Sequence, residues 1–107
     1  NVEKEAISAI VYFSRYFLEV LYARGFSTDE VQIISIELIE RFNSELSAAG
    51  IKHQLVAPFL GESYDSQSMM LDSSRGNTYG EVVAVLSWGV RNSGATMFLS
   101  KPQVQLG

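Results

Sequence analysis

The hydrophobic pattern changes period once, at Gly50, and that change decides which folds are open to the chain. From Val2 to Ala49 apolar residues recur at helical spacing, interrupted only by Gly25-Phe26-Ser27. From Ile51 onward they form short runs, Gln54–Leu60, Ser68–Leu71, Val82–Val90 and Ala95–Leu99, set apart by clusters of Gly, Ser, Asn and Asp. The pattern predicts an α+β fold, two antiparallel helices packed on a small antiparallel sheet in the order α-α-β-β-β-β. At 107 residues the chain is one domain, with a helical hairpin over 3–49 and a sheet over 51–106.

The first helix is expected over Glu3–Arg24. Ile7, Ile10, Val11, Phe17, Leu18 and Leu21 make its apolar stripe, Ser14 is the one polar gap, and Phe13 and Val20 widen it. Ser8, Tyr12, Arg15, Glu19 and Tyr22 form a polar line on the other side. Gly25 suits the left-handed residue that ends a helix. Ser27 and Glu30 have the spacing of a capping box, with Phe26 and Val31 as its hydrophobic staple. In the second helix Val31, Ile34, Leu38, Phe42, Leu46 and Ala49 share one face, Ile33, Ile36 and Ile39 turn toward another, and Gly50 closes it. Both helices carry more apolar surface than one partner helix covers, which predicts a homo-oligomer, most simply a homodimer.

Among the strands, Ile51–Leu60 holds Pro58, which cannot donate to a ladder and so belongs near an end or edge. Gln67–Leu71 is a short second strand. Asp72–Gly80 has turn composition and is expected to be a mobile loop. Glu81–Val90 reads as a strand covered on both faces. Arg91–Gly94 turns the chain back into Ala95–Ser100, and Gln103–Leu106 alternates as an edge or swapped strand would.

Composition excludes several functions. Eight basic residues among twelve acidic ones, a net charge of −4, supply no patch for nucleic acid or for an anionic membrane. The absence of cysteine fits a reducing, cytoplasmic location. No secretory signal is expected, because no small-residue cleavage site follows the first apolar stretch. The uncharged run Ala6–Ser14 is too short to cross a bilayer.

Catalytic and metal chemistry find few residues to work with. His53 is the only histidine, no G-x-S-x-G elbow precedes a serine, and zinc lacks ligands. Gly76-Asn77 lies in turn-forming sequence, and no Gly-Lys follows to complete a phosphate loop. Trp88 and Met69-Met70-Leu71 read as buried strand residues. No catalytic residue, cofactor or metal is expected.

Two short resemblances bear on function. Leu46–Gly50 leading into Lys52-His53-Gln54-Leu55-Val56, together with Met70-Leu71-Asp72-Ser73-Ser74, resembles the Tctex-type dynein light chains. There a helix end precedes a lysine-led strand, and an apolar-Asp-Ser turn follows the next one. The likeness spans about Ala6–Leu99, and Leu71 stands where that family has tryptophan. It implies a homodimeric adaptor of two helices and four strands, one strand being exchanged. Leu21-Tyr22-Ala23-Arg24-Gly25 is similar to the end of the first helix in HORMA domains. Both families are partner-binding modules without catalysis.

The expected function is therefore a non-enzymatic adaptor that binds a protein or peptide partner along a sheet edge. His53, Leu55, Ala57 and Phe59 on the first strand, with Met97 and Leu99 on the hairpin's return strand, are the candidate partner-binding residues. Two alternatives stay open. One is a structural subunit packing through the first helix. The other is a small ligand-binding or enzymatic domain, with Tyr12, Arg15, Tyr16 and His53 around a pocket between helices and sheet.

Overall fold

The computed structural model describes residues 2–72 and 77–107. Helix α1 spans Val2–Ala23 and helix α2 Thr28–Ala48. Both end in the same way. The Gly25 N–H bonds the Tyr22 carbonyl and the Phe26 N–H that of Leu21, and Gly50 and Ile51 do the same to Ser47 and Leu46. These are Schellman closures, and they need a left-handed residue, supplied by Gly25 at φ 90° and Gly50 at φ 76°.

The capping box that opens α2 is complete. The Glu30 N–H donates to Ser27 Oγ at 3.1 Å and the Ser27 N–H to Glu30 Oε1 at 2.9 Å. The bond from the Ser27 amide holds the Glu30 carboxyl below its ordinary pKa. Its contribution to stability is thus full above the unfolded-state value and is lost as pH falls through the lowered folded one. Ser27→Ala is expected to cost ~1 kcal/mol. A thermal melt should show this as a fall of roughly 4–8 °C.

The strand half departs from a single four-stranded sheet. Among the described residues six strands form two three-stranded sheets. The first holds β1 (His53–Val56), β4 (Gly89–Asn92) and β5 (Phe98–Ser100), ordered β1-β4-β5 and antiparallel throughout. The second holds β2 (Met70–Leu71), β6 (Gln103–Leu106) and β3 (Asn77–Ser87), with β6 central, parallel to β2 and antiparallel to β3.

Several sequence expectations are corrected here. The run Ile51–Leu60 pairs only over His53–Val56, because Pro58 cannot continue the ladder. Gln103–Leu106 is a central strand and not an edge, since its alternation buries Val104 and Leu106 completely. Asn77–Gly80 opens β3 and is not loop. The rest of that expected mobile loop, Ser73–Gly76, lies outside the described residues. Val83 is exposed, so β3 is covered on both faces only further on.

The expected single strand Glu81–Val90 is broken at Trp88, where the chain leaves one sheet and enters the other. Trp88 is fully buried and belongs to neither strand. Its backbone N–H, freed from any ladder, donates to Ser14 Oγ at 3.0 Å, while Ser14 donates to the Val11 carbonyl within α1. Its indole N–H donates to Ser35 Oγ of α2 at 3.3 Å, and Phe42 meets its ring edge-on. Each helix thus places one buried serine on the residue that joins the sheets. The polar gap in the α1 stripe satisfies a donor that would otherwise be buried unpaired. Around this point Ile7, Leu18, Val31, Leu55, Val82, Val90, Val104 and Leu106 form the core. Tyr22, expected on the polar line, instead donates to the Val85 carbonyl at 2.8 Å, and burial raises its pKa.

Candidate functional site

Two open sheets have four outer edges, and an edge with unpaired N–H and C=O groups invites another chain. Three are closed or too short. On β1, the Leu55 N–H donates to Asn43 Oδ1 at 2.7 Å, and Asn43 Nδ2 donates back to the Leu55 carbonyl at 3.0 Å. One amide side chain of α2 thereby takes the place of a neighbouring strand. Further along, Gln32 Oε1 accepts the Leu60 N–H at 2.7 Å. On β3, Gly61–Tyr64 lies alongside, with bonds from Gly61 to Val82, from Val82 to Glu62 and from Tyr64 to Gly80. The edge strand β2 is only two residues long.

The β5 edge is the one left open. Among the described residues no strand or side-chain amide lies beyond it. Its register steps from Arg91↔Phe98 to Val90↔Ser100 and skips Leu99, the extra residue of a bulge. Met97 and Leu99 are 76% and 49% exposed, large apolar side chains at an unpaired edge. Beside it runs a groove of about 210 Å³ between α1 and β5, lined by Lys4, Ile7, Ser8, Val11, Leu99 and Ser100. An added strand would pair its β5-facing N–H and C=O groups with the free groups of β5 and could place alternate side chains in this groove.

The sequence-derived site residues therefore separate. Met97 and Leu99 stand at the open edge. Leu55 does not present itself to a partner: it is a core residue whose backbone Asn43 occupies. Ala57 and exposed Phe59 line a different, apolar cleft of about 220 Å³ between α2 and the segment after β1. His53 is mostly buried, its Nδ1 3.8 Å from Glu3 Oε1, too far for a hydrogen bond and close enough for attraction once protonated.

The polar groups proposed for a pocket do not converge. Tyr12 and Tyr16 are exposed on α1 with their hydroxyls 3.1 Å apart, a bond that raises the Tyr16 pKa, and His53 sits on β1. Among the described residues no three His, Asp or Glu side chains gather as metal ligands.

Sequence reasoning missed two amides of α2: Asn43, which closes the β1 edge, and Gln32, which binds the Leu60 N–H beyond it. Their signal is present: Gln32, Ile36, Ile39 and Asn43 share one helical face, apolar in the middle with an amide at each end. Amides on such a face can satisfy backbone donors and acceptors without burying charge. Asn43→Ala should cost ~2 kcal/mol by leaving both Leu55 backbone groups unpaired in a partly buried setting. Urea denaturation would read this loss, and hydrogen exchange should show the Leu55 amide losing protection.

No family model, curated protein or solved structure matches this chain.

Proposed function

We propose that this protein is a non-enzymatic adaptor that captures an extended segment of a partner protein along β5. The observation that carries this is the treatment of edges: β1 is closed by Asn43, β3 by Gly61–Tyr64, β2 is only two residues long, and among the described residues the three-residue β5 keeps an unpaired outer edge beside exposed Met97 and Leu99. Backbone hydrogen bonds supply most of the affinity in strand addition, and the α1–β5 groove adds selectivity through one or two side chains. Lys4 at that groove favours a segment with an acidic residue near its anchor. The resemblance to Tctex-type light chains agrees with an adaptor role and belongs to the same proposal.

The test uses a peptide selected from a random library against the immobilised protein, then titrated in solution. Leu99→Ala should weaken binding a few-fold, by trimming one contact. Leu99→Pro should abolish it, because proline removes a backbone donor from the middle of the three-residue β5 and fixes its φ. Unchanged affinity in Leu99→Pro would reject strand addition. A second reading, a small apolar molecule in the cleft beneath Ala57 and Phe59, is favoured by that cleft's nearly all-apolar lining. Amide shifts confined to Gln32–Ile39 and Val56–Leu60 on titration would establish it instead.

A further inference from the structure

Helix α1 carries a second apolar stripe, on the side away from the core. Val2, Ala6, Ala9, Phe13, Tyr16 and Val20 follow one another at steps of four, three, four, three and four, the spacing of a coiled-coil seam. All six are exposed, Val2 by 82%, Phe13 by 48%, Tyr16 by 56% and Val20 by 53%. The five charged residues of α1, Glu3, Lys4, Glu5, Arg15 and Glu19, all lie off this line. The line through Ile7, Val11, Ser14 and Leu18 packs inward, so the helix is apolar on two opposite sides.

We infer that two copies of the chain associate through this stripe, their α1 helices paired antiparallel. The order of sizes along the seam sets the direction. Alanines occupy its first half and aromatics its second. Antiparallel overlap places Phe13 against Ala9 of the second copy and Tyr16 against Ala6, large against small at the inner levels, with Val20 against Val2 at the ends. Parallel overlap would set aromatic on aromatic and leave the alanines facing a gap, which close packing disfavours. Covering the stripe removes roughly 600 Å² from each copy, so the pair clears the ~1,000 Å² that separates specific interfaces from incidental contacts.

The flank holding Glu5, Tyr12 and Glu19 then meets its own symmetry mate. Glu5 and Glu19 face each other in water at the ends, so added salt tightens the pair. The β5 groove residues Lys4, Ile7, Ser8 and Val11 lie on another side of α1, so both surfaces work at once. A membrane is the competing occupant: the uncharged run Ala6–Ser14 is too short to span one, but α1 as a whole, Arg15 and Glu19 included, is long and apolar enough by length and composition. The acidic flank and the burial of Ile7, Ser14 and Leu18 against the core favour the second copy.

Sedimentation equilibrium from low to high micromolar concentration tests this on the whole chain. The mass should approach twice 11.9 kDa, and Phe13→Glu should return it to 11.9 kDa while keeping the far-UV circular dichroism of the parent and losing the concentration dependence of its melting temperature. The chain has no cysteine, so single replacements report geometry. Tyr12→Cys, close to the two-fold axis, should oxidise to a linked dimer whether or not Phe13→Glu folds, whereas Val2→Cys, distant from its mate, should not. A monomer throughout, a dimer indifferent to Phe13→Glu while that variant stays folded, or linking by Val2→Cys in place of Tyr12→Cys would overturn the proposal. So would flotation of the monomer with phosphatidylcholine vesicles, which would assign the stripe to membrane.

Discussion

Trp88→Ala is expected to lower stability by about 4 kcal/mol, the upper range for removing a large core side chain. Three effects act together. The cavity left at full burial has walls from both helices and both sheets, which cannot collapse inward as one unit. The edge-on contact with Phe42 is lost. Ser35 keeps its buried hydroxyl but loses the indole it accepts from. The backbone bond to Ser14 survives in alanine, so the chain should still change sheets at residue 88. For a domain with a total stability of ~5–15 kcal/mol this is a large share. Urea unfolding followed by far-UV circular dichroism measures it, since the only tryptophan is the residue removed. A loss under ~1.5 kcal/mol, within the range of a tolerated hydrophobic swap, would show that Trp88 is not the keystone of the core.

Gly89→Ala should be the most damaging single-methyl change in the strand half. A Cβ at residue 89 would lie 2.5 Å from Pro102 Cδ, 2.6 Å from the Pro102 nitrogen and 2.6 Å from the Ser100 carbonyl. Two of these are backbone atoms and the third is part of a ring fused to the backbone, so no rotamer change relieves the clash. The segment from β5 into β6 has to move away from β4. Overpacking of this kind costs about 1–3 kcal/mol, and the upper end is expected here. The displaced strand is β5, so Gly89→Ala should also weaken partner binding at least ten-fold under conditions where the protein is still folded. Equal melting temperatures for Gly89→Ala and the parent would show that the β5–β6 corner yields without strain. Retained affinity would separate β5 from the binding surface.

Much of the helical half was legible in the residues. The Ser27–Glu30 spacing identifies the start of α2 because a capping box is a local device, satisfied within four residues. Gly25 and Gly50 mark both helix ends for the same reason. The inward line of α1 follows from the spacing at Ile7 and Leu18, whereas Phe13 and Val20, which widen the stripe in sequence, are half exposed. A helix that is apolar on two sides offers no single moment, and periodicity alone does not say which side the sheet will cover.

The candidate site was legible only in part. Leu99 could be placed on a return strand, because the turn residues Ser93-Gly94 bracket a hairpin, but that strand covers only Phe98–Ser100 of the expected Ala95–Ser100 and leaves Met97 just before it. Whether the edge of that strand stays open could not be read, because edges are closed by residues distant in sequence: Asn43 reaches β1 across twelve positions and Gly61 reaches β3 across twenty-one.

The sequence by itself determined the α+β class and the helix boundaries, since each rests on local periodicity or capping chemistry. Tertiary structure alone decided that the strands split into two sheets at Trp88, that Gln103–Leu106 lies centrally, and that α2 closes the edge of β1. Strand order and edge closure depend on which distant segments satisfy each backbone N–H and C=O. That choice is settled by packing around one buried tryptophan and is written in no local pattern.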